Sequence, residues 1–430
     1  MTIAILFVSF AVFLIAGIPI AFCLGLSALA SIVFTLDVPI TLMVQRMFSG
    51  IDLFPLMAVP LFMLCGELMN TGGMISTILA LADSLVGHIR GGLAHVNVVA
   101  SMLFGGITGA AVADASALGA VEIPMMMRNG YDPQFSAAIT SASSIVGPVI
   151  PPSIPAVIYA MAAQDVSVGA LFLAGAVPGL IIGLSLMLLC YIIARRRNYP
   201  KRTGGVDWRR LGKNAKGAVV PLMTPFIIIG GVLGGVFTPT EAAGVASIYA
   251  LITGIFITRD IKLHHLPGIF VRSGITAGIV LIVIATANAF AWILASEQIP
   301  QRVSNWIMAA SPNPMVFLLL VIAFLLLVGC FMETAPALII LVPVLAPVAT
   351  KLGINPIHFG FVFVYTLVIG LVTPPLGLCL FISCGIAKIS LEAITRAILP
   401  FLALLISLTF LFAFVPPISL WLPSVFGLVE

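Results

Sequence analysis

Residues 147–152 read Gly-Pro-Val-Ile-Pro-Pro, and residues 370–375 read Gly-Leu-Val-Thr-Pro-Pro. Both stretches lie inside long apolar segments where a helix would otherwise run on. Proline lacks an amide donor and collides with the preceding turn, so a helix entering either stretch is interrupted. At membrane depth the carbonyls freed in this way are tolerated only against protein or a polar cavity. The offset that carries one stretch onto the other also carries Pro124 onto Pro347, Gly130 onto Gly353 and Pro133 onto Pro356. A membrane chain with two repeats, each holding a broken helix at the matching place, has the pattern of a secondary transporter. The polar space beside the two breaks is where ions and substrate are expected.

The rest of the composition agrees with a membrane chain. Of 430 residues, 61% are hydrophobic and 8% are charged, against about a quarter charged in soluble proteins. Apolar runs of about 20 residues, long enough to cross a bilayer as helix, recur throughout. No alternating barrel pattern is present. The expected fold is an all-α polytopic membrane protein. Residues 3–16 lack the basic flank and clear cleavage site of a signal peptide and are read as a retained first helix. The six cysteines, Cys23, Cys65, Cys190, Cys330, Cys379 and Cys384, form no CxxC pair and read as small buried hydrophobes.

The placement of charge sets the topology. Arg195, Arg196, Arg197, Lys201, Arg202, Arg209, Arg210, Lys213 and Lys216 form one basic cluster; Arg259, Lys262 and Arg272, with His264 and His265, form a second. Short loops rich in Lys and Arg stay cytoplasmic, and such patches also suit anionic lipid headgroups. Residues 217–236 and 240–258 then cross and return, with Thr238-Pro-Thr-Glu241 as their outer turn. The first broken helix, within 134–163, runs outward from the turn at Arg128. The second, within 357–388, runs inward from Lys351. Two inverted repeats follow, over 1–194 and 217–430, joined by a basic cytoplasmic loop at 195–216. Residues 3–36, interrupted at Pro19, match residues 217–258, with Ser27 opposite Ser247. Residues 70–92 and 298–313, the latter with Arg302 and Trp306, read as interfacial arms. Residues 94–127 and 314–350 read as helical hairpins entering from opposite faces.

The hairpin tips carry the candidate chemistry. The first reads Gly105-Gly-Ile-Thr-Gly-Ala-Ala-Val-Ala-Asp114. Small residues let helix ends approach closely; Thr108 offers a hydroxyl, and bare glycine carbonyls suit Na⁺. An acid inside a membrane segment is a functional candidate, so Asp114 is either a site residue, a cap or half of an internal ion pair. The second tip reads Gly329-Cys-Phe-Met-Glu-Thr-Ala-Pro336; Glu333 is a site residue or serves the helix start through its dipole. The breaks offer Gly147, Pro148, Ile150, Pro151 and Ser153, and Gly370, Val372, Thr373, Pro374 and Gly377. Ser136, Ser141, Ser143 and Ser144 make a stripe that lines a path or bonds back to helix carbonyls. Glu67, Glu122 and Glu241 are also embedded, with pairing or capping as their roles. No Walker A, HExxH or GxSxG motif is present. Tyr131-Asp132 matches half of an intramembrane aspartyl protease pattern, but the Gly-x-Gly-Asp partner is missing. Enzymatic catalysis is not expected, and transport without an ATP site draws on an ion gradient or is passive.

These residues resemble the large permease subunit of the tripartite ATP-independent periplasmic (TRAP) transporters, DctM type. The resemblance covers essentially the whole chain. It rests on Pro60-Leu-Phe-Met-Leu-Cys-Gly-Glu-Leu-Met-Asn-Thr-Gly-Gly73, Val112-Ala-Asp-Ala-Ser-Ala-Leu-Gly119, the two Pro-Pro breaks and Phe237-Thr-Pro-Thr-Glu-Ala-Ala-Gly244. Where the family often has Ser-Gly-Ser in its first hairpin, this chain has Thr108-Gly-Ala110. The third position has no hydroxyl, so any ligand there is backbone oxygen. The resemblance implies a scaffold with a mobile elevator-type transport domain in the bacterial or archaeal inner membrane. It implies Na⁺-driven uptake of an organic acid anion, of the sialic acid or C4-dicarboxylate type; a passive anion channel is the alternative. It implies two partners, a small four-helix membrane subunit (DctQ type) and a periplasmic substrate-binding protein (DctP type). It also implies two sodium sites: Thr108 and Gly109 with Gly147, Pro148 and Pro151, and Gly329 and Met332 with Gly370 and Thr373. Substrate is then expected between the tips, near Asp114, Ser144, Ser153 and Thr334.

Overall fold

A computed structural model describes residues 1–36, 38–200, 207–310, 313–375 and 377–429. Lys201 and Arg202 of the first basic cluster lie outside the described residues, as does the side chain of Trp306. The described residues are helical throughout, with no strand. In chain order the helices are α1 (Thr2–Ile15), α2 (Ile20–Thr35), α3 (Thr41–Ile51), α4 (Ala58–Thr71), α5 (Met74–Val86), α6 (Gly92–Thr108), α7 (Ala111–Arg128), α8 (Pro133–Ser144), α9 (Ile154–Ala163) and α10 (Val168–Arg196). There follow α11 (Trp208–Leu233), α12 (Pro239–Ile252), α13 (Leu266–Ser296), α14 (Ile299–Ala310), α15 (Pro314–Gly329), α16 (Thr334–Lys351), α17 (Pro356–Gly370), α18 (Leu378–Ala387), α19 (Leu391–Phe414) and α20 (Pro417–Val425).

Seven helical stretches among the described residues are long and apolar enough to cross a membrane. The elements around the two breaks are not among them, except α16: α6, α9, α15, α17 and α18 are all shorter apolar helices. Local chemistry explains where they start. Ser153 accepts from the Ala156 amide at 3.1 Å and so opens α9. Asn355 accepts from the amides of Ile357 and His358 and opens α17, with Pro356 in its first turn. A side-chain oxygen at the cap satisfies amides that have no partner within the helix.

Two helices lie where the sequence reading assigned none. α3 carries Gln45, Arg46 and Ser49 among its apolar residues. It packs on α13, with the Arg46 guanidinium 5.4 Å from the Trp292 ring centroid. α20 starts at Pro417, a position proline tolerates because the first-turn amides are unpaired anyway. It packs on α10 and is tied to α17, where His358 meets Ser419 Oγ at 2.8 Å. α11 begins inside the segment read as basic loop: Asp207 accepts from the amides of Arg209 and Arg210, so Arg209, Arg210, Lys213 and Lys216 are helical.

Both basic segments lie at one end of the molecule, bridged by α5. Asp83 on α5 pairs with Arg210 at 2.8 Å, and a Cβ on Gly73, the residue before α5, would sit 2.1 Å from Asp260. The turn before α8 belongs to the same end, since Asp132 takes Arg197 at 2.7 Å and the Tyr199 hydroxyl at 2.5 Å. Burial, joined by the bond to Asp132, pushes the Tyr199 phenol up to about 12, so it stays a neutral donor there. The first broken helix therefore leaves the basic end, and Gln164 at its far end shares a cleft with Thr350 and Pro356. The second starts at that cleft and returns: α18 meets Ser141 through Cys379 and Ser383, then Gly119 through Ile386.

Candidate functional site

Each break is a place where a helix stops, turns on extended backbone and restarts. α8 ends at Ser144, and α9 starts after the cis Pro151-Pro152 bond; α17 ends at Gly370, and α18 starts after the cis Pro374-Pro375 bond. Each break is met by a hairpin tip through a glycine pair. A Cβ on Gly105 would lie 2.3 Å from the Gly147 Cα, and a Cβ on Gly370 would lie 2.4 Å from the Gly329 Cα. Only residues without side chains let two backbones come this close.

The contact leaves oxygen exposed to oxygen. Among the described residues, no hydrogen bond ends on the carbonyls of Ile107, Thr108, Gly147 or Pro151 at the first junction. The same holds for Gly329, Val372 and Pro374 at the second. Gly109 closes α6 in the left-handed region at φ +61°, and its carbonyl accepts from the Ile154 amide at 3.3 Å, tying the tip to α9. The Thr108 hydroxyl donates to Asp114 Oδ1 at 2.7 Å. Asp114 is 1% exposed, its Oδ2 has no hydrogen-bond partner, and a Cβ on Gly147 would lie 2.6 Å from that oxygen. At the second junction Thr373 is bonded at its hydroxyl to the Ile369 carbonyl at 2.9 Å, and Met332 is half-buried beside the tip. Such a set of carbonyls and hydroxyls, with one carboxylate, has the hard-oxygen chemistry that Na⁺ takes.

A cavity of about 360 Å³ lies between the two tips. Its walls include Ala111, Val112 and Ala113 from the first turn of α7, and Thr334 and Ala335 from the first turn of α16. Ile154 and Pro155 bring the start of α9 to the same space. Three helix starts thus border one cavity. The leading amides of α7 and α16 favour negative charge there, whereas those of α9 are spent: Ile154 donates to Gly109, Pro155 has no N–H, and Ala156 donates to Ser153. The Thr334 hydroxyl is buried without a partner at this wall. α4 and α13 close the other side with Glu67, Asn70 and Arg272, where Arg272 Nε meets Glu67 Oε1 at 2.6 Å.

The residues read from sequence thus separate into three groups. Thr108, Gly109, Asp114, Gly147, Pro148, Pro151 and Ser153 come together at the first junction; Gly329, Gly370 and Thr373 come together at the second. Of the four substrate candidates only Thr334 borders the cavity. Asp114 lies behind the first tip. Ser153 donates to the Pro148 carbonyl at 2.5 Å while capping α9, and Ser144 donates to the Ser141 carbonyl at 2.8 Å. Their hydroxyls hold the interrupted backbone. The stripe behaves likewise: Ser136 bonds Asp132 O, Ser141 reaches Ser383, and Ser143 reaches Asn97 Oδ1. Asn97 in turn donates to Glu122 Oε2 at 2.6 Å, and Glu241 completes a capping box with Thr238. The sequence reading missed Arg272 as a cavity residue, having counted it only as loop charge.

Opposed hairpins seated on two oppositely directed broken helices, with one cavity between them, define a multi-pass membrane protein of transporter architecture. Residues 7–418 match the family model for the DctM component of the tripartite ATP-independent periplasmic transporters, and the chain belongs to that family. It is 42% identical to the sialic acid TRAP transporter large permease protein SiaM of Vibrio cholerae over 416 residues, 96% of each chain. It is 41% identical to the C4-dicarboxylate TRAP transporter large permease protein DctM of Pseudomonas aeruginosa over 406 residues, 94% of each. Among solved structures, the YdaH transporter of Alcanivorax borkumensis shares the fold, with a TM-score of 0.62 at 16% identity, covering 91% of this chain and 89% of that one.

Proposed function

We propose that this chain is the permease of a sodium-coupled importer for an organic acid anion, of the sialic acid or C4-dicarboxylate class. It would work in the inner membrane beside a small four-helix subunit and receive its substrate from a periplasmic binding protein. The observation that carries the reading is the pair of glycine-to-glycine junctions with freed carbonyls, set on either side of one cavity faced by the N-termini of α7 and α16. An anion loses its hydration on entering such a space. Na⁺ at the junctions offsets part of that charge, and the amides of Ala111, Val112, Ala113, Thr334 and Ala335 receive the carboxylate. Na⁺ bound between tip and break also holds each hairpin closed on its broken helix, so the two junctions move as one body past α4 and α13. That motion is the elevator step.

The coupled reading is tested in proteoliposomes containing the permease, its small subunit and its binding protein. Uptake of sialic acid or succinate that needs an inward sodium gradient supports it. Uptake that runs down the anion gradient alone, at a rate indifferent to sodium and to the binding protein, identifies a passive anion channel instead.

A further inference from the structure

Three charged side chains border the cavity: Glu67, Arg272 and Glu333. Arg272 is the one cation among them, and it already faces Glu67. We propose that Arg272 is the residue on the stationary wall that takes the carboxylate of the transported anion, and that Glu67 competes for the same guanidinium and so promotes release at the basic end of the molecule. The proposal rests on the organic-acid reading of the cavity.

The geometry of the pair suits exchange rather than a fixed clamp. The Arg272 side chain is 57% exposed and that of Glu67 23%, and ion pairs this open contribute little net stability and are easily replaced. Only Nε is engaged: among the described residues no other hydrogen bond reaches the guanidinium. The terminal amino groups remain available in the planar fork that grips a carboxylate through two parallel bonds. Nor is the pair needed to hold its helices together. α4 and α13 pack on each other, and α13 is held separately to α3, where Asn288 reaches the Gly50 carbonyl at 3.4 Å. Placement gives the pair its direction. Arg272, the last residue of the second basic cluster, lies near the start of α13, and Glu67 lies one turn before the end of α4, next to α5, which bridges both basic segments. By the charge rule that end is cytoplasmic. A substrate leaving the tips toward the cytoplasm passes Arg272, and the neighbouring carboxylate prevents it from being retained.

The test measures concentration dependence of sodium-driven uptake, and of counterflow from the inside, for whichever of sialic acid and succinate the wild-type complex carries. Arg272→Gln should raise the half-saturating substrate concentration about tenfold or more, as expected when a charged hydrogen bond is lost, and Arg272→Lys should fall between. Glu67→Gln should act in the opposite direction, lowering the internal half-saturating concentration in counterflow by up to about fivefold, the worth of an exposed pair. A purely structural ion pair predicts that Arg272→Gln and Glu67→Gln impair transport alike, and that result overturns the proposal. So does wild-type half-saturation in Arg272→Gln. If the wild-type complex carries neither acid, the organic-acid reading itself fails, an outcome separate from any behaviour of the variants.

Discussion

Gly370→Ala is the sharpest test of the junctions. The added methyl would sit 2.4 Å from both the Cα and the carbonyl carbon of Gly329 and 2.5 Å from its oxygen. These are backbone atoms, so no side chain can swing aside. Ordinary contact begins at 3.4 Å, so the second hairpin tip must retreat by about 1 Å, and overpacking of this kind costs about 1–3 kcal/mol. The cost falls on the seated junction, the state that brings Gly329 against Gly370. At 1.4 kcal/mol per factor of ten, sodium half-saturation should rise about 5- to 150-fold. The assay is initial uptake against sodium concentration in proteoliposomes. Gly278→Ala, on α13 with nothing within 4 Å of the new methyl, is the control and should match wild type. Gly147→Ala should be milder, because its nearest neighbour at 2.6 Å is the side-chain oxygen of Asp114, with the Gly105 Cα at 3.3 Å. Wild-type sodium dependence in Gly370→Ala, in protein that inserts normally, would refute the claim that close backbone contact builds the site.

Thr373→Val removes the hydroxyl bonded to Ile369 and should weaken sodium dependence about tenfold, whereas Thr373→Ser should retain it, read from the same uptake curves. Gly147→Leu should abolish sodium-dependent uptake without preventing membrane insertion, since a long side chain cannot be placed between Gly105 and Asp114. Asp114→Asn keeps the size of the side chain and its contact with Thr108 but removes the charge; sodium half-saturation should rise at least tenfold, and an unchanged curve would remove Asp114 from the first site. Ser419→Val leaves a nitrogen of buried His358 unpaired and should cost about 1–3 kcal/mol, seen as a lower melting temperature in detergent with sodium half-saturation unchanged.

The large-scale fold was legible because membrane depth leaves backbone few options. Long apolar runs had to be helices, and a proline pair inside one had to break it. The hairpins at 94–127 and 314–350 were visible for the same reason: clustered glycines at 105–109 and the Gly329–Pro336 stretch stand where a continuous helix would be cheaper. α3 escaped because its Gln45, Arg46 and Ser49 break up the apolar run between two stronger segments. α20 escaped because Pro416, Pro417 and Pro423 read as a helix terminator, although the first two occupy the cap and first turn.

The backbone of the candidate site was legible in the sequence, and the internal bonding of its serine hydroxyls was not. Serine in an apolar segment suggests a polar lining, since its oxygen costs free energy when buried alone. An interrupted helix, however, supplies its own unpaired groups, and these are nearer than any ligand. Ser153 is consumed by the Pro148 carbonyl and the Ala156 amide, and Ser144 by the Ser141 carbonyl. What the tips and breaks bring to the cavity instead is the first turns of α7, α9 and α16, brought together because Gly105, Gly147, Gly329 and Gly370 present no side chain to keep the tips away. A hydroxyl motif therefore points to where the backbone is broken, and the ligand is to be sought on the other side of the glycines. Arg272 follows the converse logic. Counted with its loop it looked like a topology signal; two turns into α13 it is a charge in the wall of the cavity between the tips, which only the three-dimensional placement of Glu67 and the tips could reveal.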